Sequence, residues 1–254
     1  MKTTGNNILI TGGGSGIGRA LAEAFHALGN QVIISGRSQR TLNEATAANP
    51  GMKSLIVDMT DAASIREFAA KLAEGYPTLN VLINNAGIMR PEDLLSPDND
   101  TADAEATILT NLLGPIRLTT ALLPLLLKQP HATVMNVTSG LAFAPLAITP
   151  TYCATKAAMH SYTESLRHQM RKTSVEVLEL APPYVATHLM GNQQAADPRA
   201  MQLEDFISEV MDILTKQPGA TEILVKRVEP LRFSAAGGPE KYAEVFHGLN
   251  SMIH

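Results

Sequence analysis

The chain has 254 residues and an ordinary globular composition, 45% apolar and 17% charged, which excludes an intrinsically disordered protein. Twenty basic and 24 acidic residues give a net charge of −4, so we expect no nucleic-acid partner and no membrane-surface role. No run of 18 apolar residues predicts a membrane span, and no apolar stretch near the amino terminus resembles a secretory signal. Cys153 is the only cysteine, so we expect a cytoplasmic protein without an internal disulfide.

Short apolar runs alternate with longer segments of helical periodicity in the first half of the chain. The runs do not alternate with polar residues, which predicts strands buried on both faces. The predicted strands are residues 8–10, 32–34, 55–57 and 81–83. The predicted helices between them are residues 17–28, 39–48 and 62–73.

The second half continues this alternation. The predicted helices are residues 102–127, 152–171, 203–215 and 239–249, and the predicted strands are residues 134–137, 175–180 and 222–228. Pro115 and Pro124 are expected to bend or interrupt the first of these helices. A polar stretch rich in Ala, Gln and Asn follows residue 186, and we predict that residues 186–203 form a variable, mobile substrate loop.

Strand–helix–strand repetition requires right-handed crossovers and therefore a parallel sheet. We predict an α/β fold of the Rossmann type, a doubly wound parallel sheet with helices on both faces. No internal repeat, low-complexity tract or linker divides the chain, so we predict a single domain over residues 1–254.

A glycine-rich turn, Thr-Gly-Gly-Gly-Ser-Gly-Ile-Gly at residues 11–18, joins the first predicted strand to the first predicted helix. Glycine lets the backbone turn sharply and approach a pyrophosphate, while the helix amino terminus offers free N–H groups. Such a pattern also fits a plain tight turn, but its place between strand and helix favours a dinucleotide. The predicted contacts in this turn are Gly12, Gly14, Ser15, Gly16, Ile17 and Gly18.

The order of five motifs resembles the short-chain dehydrogenase/reductase family. The turn has the spacing T-G-x-x-x-G-x-G, and N-N-A-G follows at residues 84–87. Asn111 lies in the next helix, Ser139 follows the fifth strand, and Tyr152 with Lys156 forms Y-x-x-x-K. Residues 137–143 and 174–183 look most like the DltE-like members of that family, a likeness that implies no particular substrate.

The resemblance implies a nicotinamide-dependent oxidoreductase with four catalytic residues. Tyr152 would exchange a proton with the substrate oxygen, and Lys156 would lower the pKa of Tyr152 and hold the nicotinamide ribose. Ser139 would hydrogen-bond the substrate oxygen, and Asn111 would hold a water that refills the proton chain. The resemblance also implies cofactor contacts by Asp58, Met59, Asn85, Ala86, Gly87, Tyr152, Lys156, Pro182, Val185 and Thr187.

The spacing of Tyr152 and Lys156 supports this chemistry, because residues four apart share one helix face. A phenol has a pKa near 10, and one ammonium about 4 Å away contributes roughly 4 kcal/mol at an effective dielectric near 20. We therefore expect Lys156 and a positively charged nicotinamide together to lower the pKa of Tyr152 by about two to three units. Taken alone, a Y-x-x-x-K pair is more often a surface helix pair.

Arg37, 19 residues after the last glycine, favours NADP(H) over NAD(H). Its guanidinium could pair with a 2′-phosphate, and Ser35 and Ser38 could add hydroxyl groups. Alternatively, Arg37 stacks on the adenine ring, which would serve NAD(H) equally well. Asp58 resembles the acid that contacts adenine in the family, and it could also cap a helix.

The chain departs from the family after the sixth strand, where Pro183 stands in place of the usual glycine. Proline fixes φ and removes an N–H, so the path of residues 182–187 is open. Tyr184 could face the substrate or pack under the loop, and Arg90 could meet an acidic group or remain solvated. The residues expected to form a mainly apolar substrate pocket are Met89, Leu141, Phe143, Tyr184 and Met190.

We therefore predict an oxidoreductase that transfers a hydride between NADP(H) and a carbonyl compound or secondary alcohol. The alternative is a non-catalytic sensor or regulatory protein that binds the dinucleotide. A homodimer or homotetramer is expected from the resemblance, although the leucines of residues 118–127 could equally be buried against the sheet. The histidines, including His160 and His168, show no metal-ligand spacing, so no metal site is predicted.

Overall fold

In the computed structural model, which describes residues 1–97 and 100–251, seven parallel strands form one sheet in the order β3-β2-β1-β4-β5-β6-β7. The strands are β1 (Asn7–Thr11), β2 (Gln31–Gly36), β3 (Lys53–Ile56), β4 (Val81–Asn84), β5 (Ala132–Val137), β6 (Val175–Leu180) and β7 (Glu222–Ile223). The order reverses between β1 and β4, and helices cover both faces. The prediction of a Rossmann-type doubly wound sheet is confirmed.

Ten α-helices connect or follow these strands within the described residues. They are α1 (Gly16–Ala27), α2 (Gln39–Ala48), α3 (Ala62–Gly75), α4 (Ala102–Ile108), α5 (Gly114–Leu126), α6 (Pro150–Met170), α7 (Asn192–Ala196), α8 (Leu203–Lys216), α9 (Glu229–Arg232) and α10 (Gly238–Ser251). Short 3₁₀ turns at Gly140–Ala142, Lys226–Val228 and Ser234–Gly237 complete the chain.

Two apolar layers hold the sheet between the helices. Ile8 and Ile10 of β1 face Phe25 of α1 and Phe206 of α8, whereas Leu9 faces the layer formed by α3, α5 and α6. Successive side chains of a strand point to opposite faces, so a continuous apolar run supplies both layers. Because all seven strands are parallel, their carboxyl ends lie at one edge of the sheet. The crevice forms at this edge, where the strand order reverses.

A turn of π-helix, Leu109–Leu113, joins α4 to α5 into one nearly continuous helix. Pro115 stands in the first turn of α5, where its missing N–H costs little, and Pro124 lies inside the last turns. The expected interruption is thus a π-turn rather than a break, and it carries Asn111. Residues 102–126 are long and apolar enough to span a membrane by length and composition, a test that core helices also pass. The leucines at 118, 122 and 126 are buried against the sheet.

Two segments differ from the sequence-based expectations. The strand expected at residues 222–228 contains only Glu222–Ile223 and continues into a 3₁₀ turn. The loop expected at residues 186–203 includes the short helix α7, whose Gln194 is buried. Gln194 donates hydrogen bonds to the carbonyl of Val185 and the hydroxyl of Thr187. These bonds anchor α7 to the segment that follows β6.

Polar side chains cross the sheet in one row, which consists of Asn84, Asn136, Glu179 and Glu222. These residues are register partners on β4, β5, β6 and β7. Asn84 donates to the Asn136 oxygen at 2.8 Å, and Asn136 donates to the hydroxyl of Thr163 on α6 at 2.9 Å. This cross-sheet polar row ties the central strands to the helix that covers them, since a buried polar group is costly without a partner.

We expect Asn136→Leu to lower the free energy of unfolding by about 1–3 kcal/mol, because an Asn84 N–H loses its buried acceptor. Urea denaturation of the variant and the wild type measures this difference. Thr120→Ala, on the exposed side of α5, is the control and should change the free energy by less than about 0.5 kcal/mol. Equal stability of Asn136→Leu and wild type would contradict the structural role of the row.

Candidate active site

A groove of about 390 Å³ opens at the carboxyl ends of the strands. The glycine turn forms one wall, and the end of β5 with the start of α6 forms the other. Residues 182–189, after β6, close the groove on a third side. The structure thus brings the five predicted motifs to one place.

The glycine turn has the conformation that a pyrophosphate site requires. Gly12 and Gly16 have φ of 67° and 52°, in the left-handed region that other residues rarely adopt. A Cβ on Gly18 would lie 2.2 Å from Nδ2 of Asn85, so this position also excludes a side chain. Ser15 begins α1 without a side-chain cap, which leaves the first N–H groups of the helix available to an anion.

Asn85 and Ala86, directly after β4, hold the glycine turn in place. Their backbone N–H groups both donate to the hydroxyl of Thr11 at 3.0 Å, and Nδ2 of Asn85 donates to the Thr11 carbonyl at 2.9 Å. Gly87 continues this segment towards the catalytic side, where a Cβ would lie 3.3 Å from Oδ1 of Asn111. The glycines, free helix end and anchoring amides fit a nicotinamide dinucleotide.

The residues expected to contact the adenosine lie at or just after the ends of β2 and β3. Arg37 is exposed, whereas Ser35 is fully buried, so the Ser35 hydroxyl cannot reach an exposed phosphate. Ser38 is exposed, and its Oγ accepts a hydrogen bond from Thr41 N and caps α2, which leaves its O–H able to donate, so the expected contact by Ser38 stays a prediction.

Asp58 does not cap a helix, although its side chain stabilises the turn that precedes α3. Its Oδ1 accepts hydrogen bonds from the N–H and hydroxyl of Thr60 at 2.9 and 2.8 Å, and Asp61, not Asp58, caps α3. The hydrogen bonds from Thr60, and the nearby Arg37, hold the pKa of Asp58 below its usual value. The Met59 side chain is buried in the core, so it offers only its backbone to a cofactor.

The four predicted catalytic residues lie together. Ser139 shares a hydrogen bond with Tyr152 and accepts from Leu141 N at 3.1 Å. Nζ of Lys156 donates to the Val137 carbonyl at 2.9 Å and lies 5.6 Å from the Tyr152 ring centre.

Asn111 lies in the π-turn with its amide fully occupied. Oδ1 accepts from Ile88 N at 2.9 Å, and Nδ2 donates to Ile88 O at 2.8 Å and to the Thr155 hydroxyl at 3.3 Å. Pro115, four residues later, has no N–H, so the Asn111 carbonyl lacks its usual α-helical partner. In the sequence, the pair Gly114-Pro115 is the feature that could have predicted this irregular hydrogen bonding.

Burial controls the ionisation of Tyr152 and Lys156 in the cofactor-free protein. It raises the pKa of Tyr152 to about 12, against which the hydrogen bond with Ser139 acts in the lowering direction. The same burial lowers the pKa of Lys156 to about 8. In the cofactor-free protein, desolvation of the phenolate therefore dominates the pKa of Tyr152, and the expected lowering by Lys156 together with a bound oxidised nicotinamide stays a prediction.

Residues 182–187 keep a regular path despite Pro183. The Pro182 carbonyl accepts from Gly140 N at 2.9 Å, and Val185 forms a bridge with Met201. Thr187 is buried 3.8 Å from the position a Cβ would take on Gly16, so the loop reaches over the glycine turn. Tyr184 is instead exposed, and its hydroxyl donates to Asp197, so it neither faces the substrate nor packs under the loop.

An apolar cluster surrounds Tyr152 on the substrate side. It comprises Met89, Leu141, Leu146, Ile148, Cys153, Met190 and Leu249. Leu249 comes from the distant helix α10, whose Asn250 accepts from Ala147 N and donates to Pro145 O, and local sequence patterns gave no sign of it.

Of three other residues considered in the sequence analysis, Phe143 departs from its expected place, whereas Arg90 and Cys153 do not. Phe143 was expected in the pocket, but its ring packs edge-on against His160 at 4.8 Å, because the 3₁₀ turn after Ser139 directs it towards α6. Arg90 pairs with Asp103, as a solvated loop charge would. Burial raises the pKa of Cys153, which suits a core thiol. Within residues 1–97 and 100–251, no group of three His, Cys, Asp or Glu could hold a metal ion.

Comparison with known proteins identifies the family. A family model described as short chain dehydrogenase matches residues 6–198. The chain belongs to the short-chain dehydrogenase family. Within this family it is similar to the uncharacterised oxidoreductase DltE of Bacillus subtilis (strain 168), with 41% identity over 257 residues that cover 99% of both chains. The predicted resemblance to DltE-like short-chain dehydrogenases is confirmed.

Solved structures share the fold of this short-chain dehydrogenase. One from Burkholderia cenocepacia J2315, in complex with NADP, has a TM-score of 0.83 at 23% identity and covers 97% of this chain and 99% of its own. One from Burkholderia phymatum, in complex with NAD, has a TM-score of 0.79 at 21% identity and covers 93% and 95%. Both nicotinamide dinucleotides therefore occur in proteins of this shape.

We expect Lys156→Met to change how stability depends on pH. Because burial lowers the pKa of Lys156 from 10.5 to about 8, the unfolded wild type binds a proton that the folded wild type releases between these pH values. The free energy of unfolding of the wild type should therefore rise by up to about 3 kcal/mol, relative to Lys156→Met, between pH 7 and 10.5.

Urea denaturation at pH 7, 8.5 and 10 measures this relative change. Lys71→Met, at an exposed position of α3, is the control and should follow the wild type at each pH. If the free energies of unfolding of Lys156→Met and the wild type changed in parallel with pH, burial would not disfavour the charged form of Lys156.

Proposed function

We propose that the protein is an NADP(H)-dependent oxidoreductase that interconverts a carbonyl compound and a secondary alcohol. The observation that carries this proposal is the convergence of Ser139, Tyr152 and Lys156 at the groove beside an anion-accepting glycine turn. Asn111 completes the set from the π-turn. The apolar cluster around Tyr152 favours a substrate with an uncharged, apolar group next to its carbonyl.

Several elements would hold the dinucleotide, which supplies or accepts the hydride when bound. The free N–H groups of α1 and the glycine backbone suit the pyrophosphate, and Lys156 suits the nicotinamide ribose. Arg37 and Asp58 suit the adenosine end, while Val185 and Thr187 lie where the loop could contact the nicotinamide. These assignments use the position of each residue at the carboxyl ends of the strands.

Tyr152 suits the role of proton donor in the reductive direction. With a pKa of about 12, its hydroxyl holds its proton at neutral pH and can donate it to a substrate oxygen that gains negative charge. Ser139 can hydrogen-bond the same oxygen, because its hydroxyl already meets that of Tyr152. In the oxidative direction, the positive charge of Lys156 and of a bound oxidised nicotinamide would favour the phenolate.

Lys156 and Asn111 suit the replacement of that proton. Lys156 uses one N–H for the Val137 carbonyl, which leaves its other donors for the ribose and Tyr152. The Asn111 carbonyl, without an α-helical partner, could hold a water near Lys156. A proton would then pass from solvent through this water and Lys156 to Tyr152.

The preference for NADP(H) rests on Arg37. The chain places an exposed guanidinium at the end of β2, where an acid would otherwise bind the ribose hydroxyls, and Gly36 offers no side chain there. A planar guanidinium pairs with phosphate through two parallel hydrogen bonds. Adenine stacking by Arg37, with NAD(H) as the cofactor, is the alternative.

We expect Tyr152→Phe to lower kcat for carbonyl reduction by about 10²- to 10⁴-fold, because it removes only the proton donor. NADPH oxidation at 340 nm with a panel of apolar ketones and aldehydes measures kcat, and NADPH fluorescence should show nearly unchanged cofactor affinity. Tyr162→Phe, on the same helix, is the control and should retain activity. Unchanged turnover in Tyr152→Phe would sink the mechanism, and cofactor binding without wild-type turnover would favour the sensor alternative.

We expect Arg37→Ala to raise the Kd for NADPH by about 10- to 100-fold, the size of one or two lost charge-assisted hydrogen bonds. The Kd for NADH should change by less than about threefold. Titrations followed by nicotinamide fluorescence measure both constants, and Arg40→Ala, at an exposed position of α2, is the control. Equal losses for the two cofactors would assign Arg37 to adenine stacking.

A further inference from the structure

Glu179 is a buried carboxylate in the middle of the sheet. Its side chain is only 1% exposed and lies on β6 between Leu178 and Leu180. Val175 and Val177, on the same face of this strand, pack in the apolar core. A charged group at such a position costs free energy unless every oxygen has a partner, and an apolar residue would pack there more cheaply.

Both oxygens of Glu179 have a partner. Oε1 accepts a hydrogen bond from the Thr138 hydroxyl at 2.6 Å. Oε2 lies 2.8 Å from Nδ1 of His160, whose side chain is largely buried. Glu179 therefore joins β5 to α6 through two short polar contacts.

The two partners stand next to the proposed catalytic residues. Thr138 directly precedes Ser139, and its N–H also donates to the Leu180 carbonyl at 2.8 Å. His160 follows Lys156 by one helical turn, so Tyr152, Lys156 and His160 succeed one another along α6 at intervals of four residues. The Glu179 carboxylate thus bridges the segment that carries Ser139 and the helix that carries Tyr152.

A second set of contacts holds the chain on the other side of Ser139. The Phe143 ring packs edge-on against His160, and the Arg232 guanidinium lies 4.6 Å from the centre of the same ring. Arg232 in turn makes two hydrogen bonds to Glu222 on β7, at 2.7 and 2.9 Å. His160 therefore contacts Phe143, four residues after Ser139, and is linked through Glu179 to Thr138, the residue before Ser139.

We propose that Glu179 and His160 are positioning residues, which set the distance between the Ser139 hydroxyl and the Tyr152 hydroxyl. Neither residue belongs to the lining of the groove, so neither acts on the substrate or cofactor directly. A displacement of about 1 Å between groups that share a reacting atom can cost about 10²-fold in rate. This inference rests on the proposed function of the same site.

The test compares Glu179→Leu, Glu179→Gln and His160→Asn with the wild type. In Glu179→Leu both links are lost, and we expect kcat to fall by about 10- to 100-fold while KM for NADPH changes by less than about twofold. Glu179→Gln should retain at least a third of the wild-type kcat, because its amide can accept from Thr138 and donate to His160. His160→Asn, at the more accessible partner, should give an intermediate loss and tests the same link if Glu179→Leu does not fold.

Thr163→Val is the matched control. It breaks the link of Asn136 to α6, which joins the same strand and the same helix farther from Ser139. We expect a lower Tm with kcat within about twofold of the wild type. A variant that merely loosens the fold would resemble this control.

The outcomes separate the two proposals. Normal kcat in both Glu179→Leu and His160→Asn, with an active wild type, would overturn the positioning role alone. The positioning role would also be overturned if kcat of Glu179→Gln fell as far as that of Glu179→Leu. Glutamine can keep both hydrogen bonds, so the loss would then not come from a change in geometry. Absence of wild-type turnover with every carbonyl would overturn the proposed function, and the positioning role with it.

Discussion

The Thr11 hydroxyl is the point at which the two halves of the sheet meet. It accepts hydrogen bonds from two backbone N–H groups of the segment after β4. The side-chain amide of Asn85 also donates a hydrogen bond to the Thr11 carbonyl. These bonds fix the glycine turn against the segment after β4, at the point where the strand order reverses. The contact is local to the strand ends and its hydroxyl is buried, so it fixes the position of the glycine turn relative to the central strands.

Burial shifts the pKa values of Tyr152 and Lys156 in opposite directions. It keeps Tyr152 protonated and makes Lys156 easier to deprotonate, because desolvation disfavours the charged form of either side chain. Glu179 is also buried, but two polar partners compensate it. The fold thus places polar groups of one cross-sheet row beneath the reacting residues, where a purely apolar core would be simpler to pack.

Much of this architecture follows from short-range patterns in the sequence. Unalternated apolar runs predict the central strands, the glycine spacing predicts the turn, and the interval of four residues brings Tyr152 and Lys156 to one helix face. The family resemblance adds Asn111 and Ser139, which no local pattern would single out. A residue within such a pattern is constrained by its immediate neighbours, so its place can be predicted.

The residues that escaped prediction make contacts between distant parts of the chain. Glu179 pairs with His160 across 19 residues, and Asn250 binds a segment more than 100 residues earlier. Phe143 follows Ser139 closely, but its direction depends on a 3₁₀ turn and on α6. Gln194 looked like part of a polar loop, because the sequence does not reveal that its amide binds Val185 and Thr187.

Because α10 contributes to the apolar cluster, the residues that suit the dinucleotide and those that shape the substrate side lie in different parts of the chain. Residues that suit the dinucleotide lie in the first three quarters, whereas Leu249 and Asn250 shape the substrate side from the last described helix. Sequence change in α10 can therefore reshape the substrate side without disturbing the sheet or the glycine turn. Exchange of this helix between relatives offers a route to new substrate ranges on an unaltered catalytic frame.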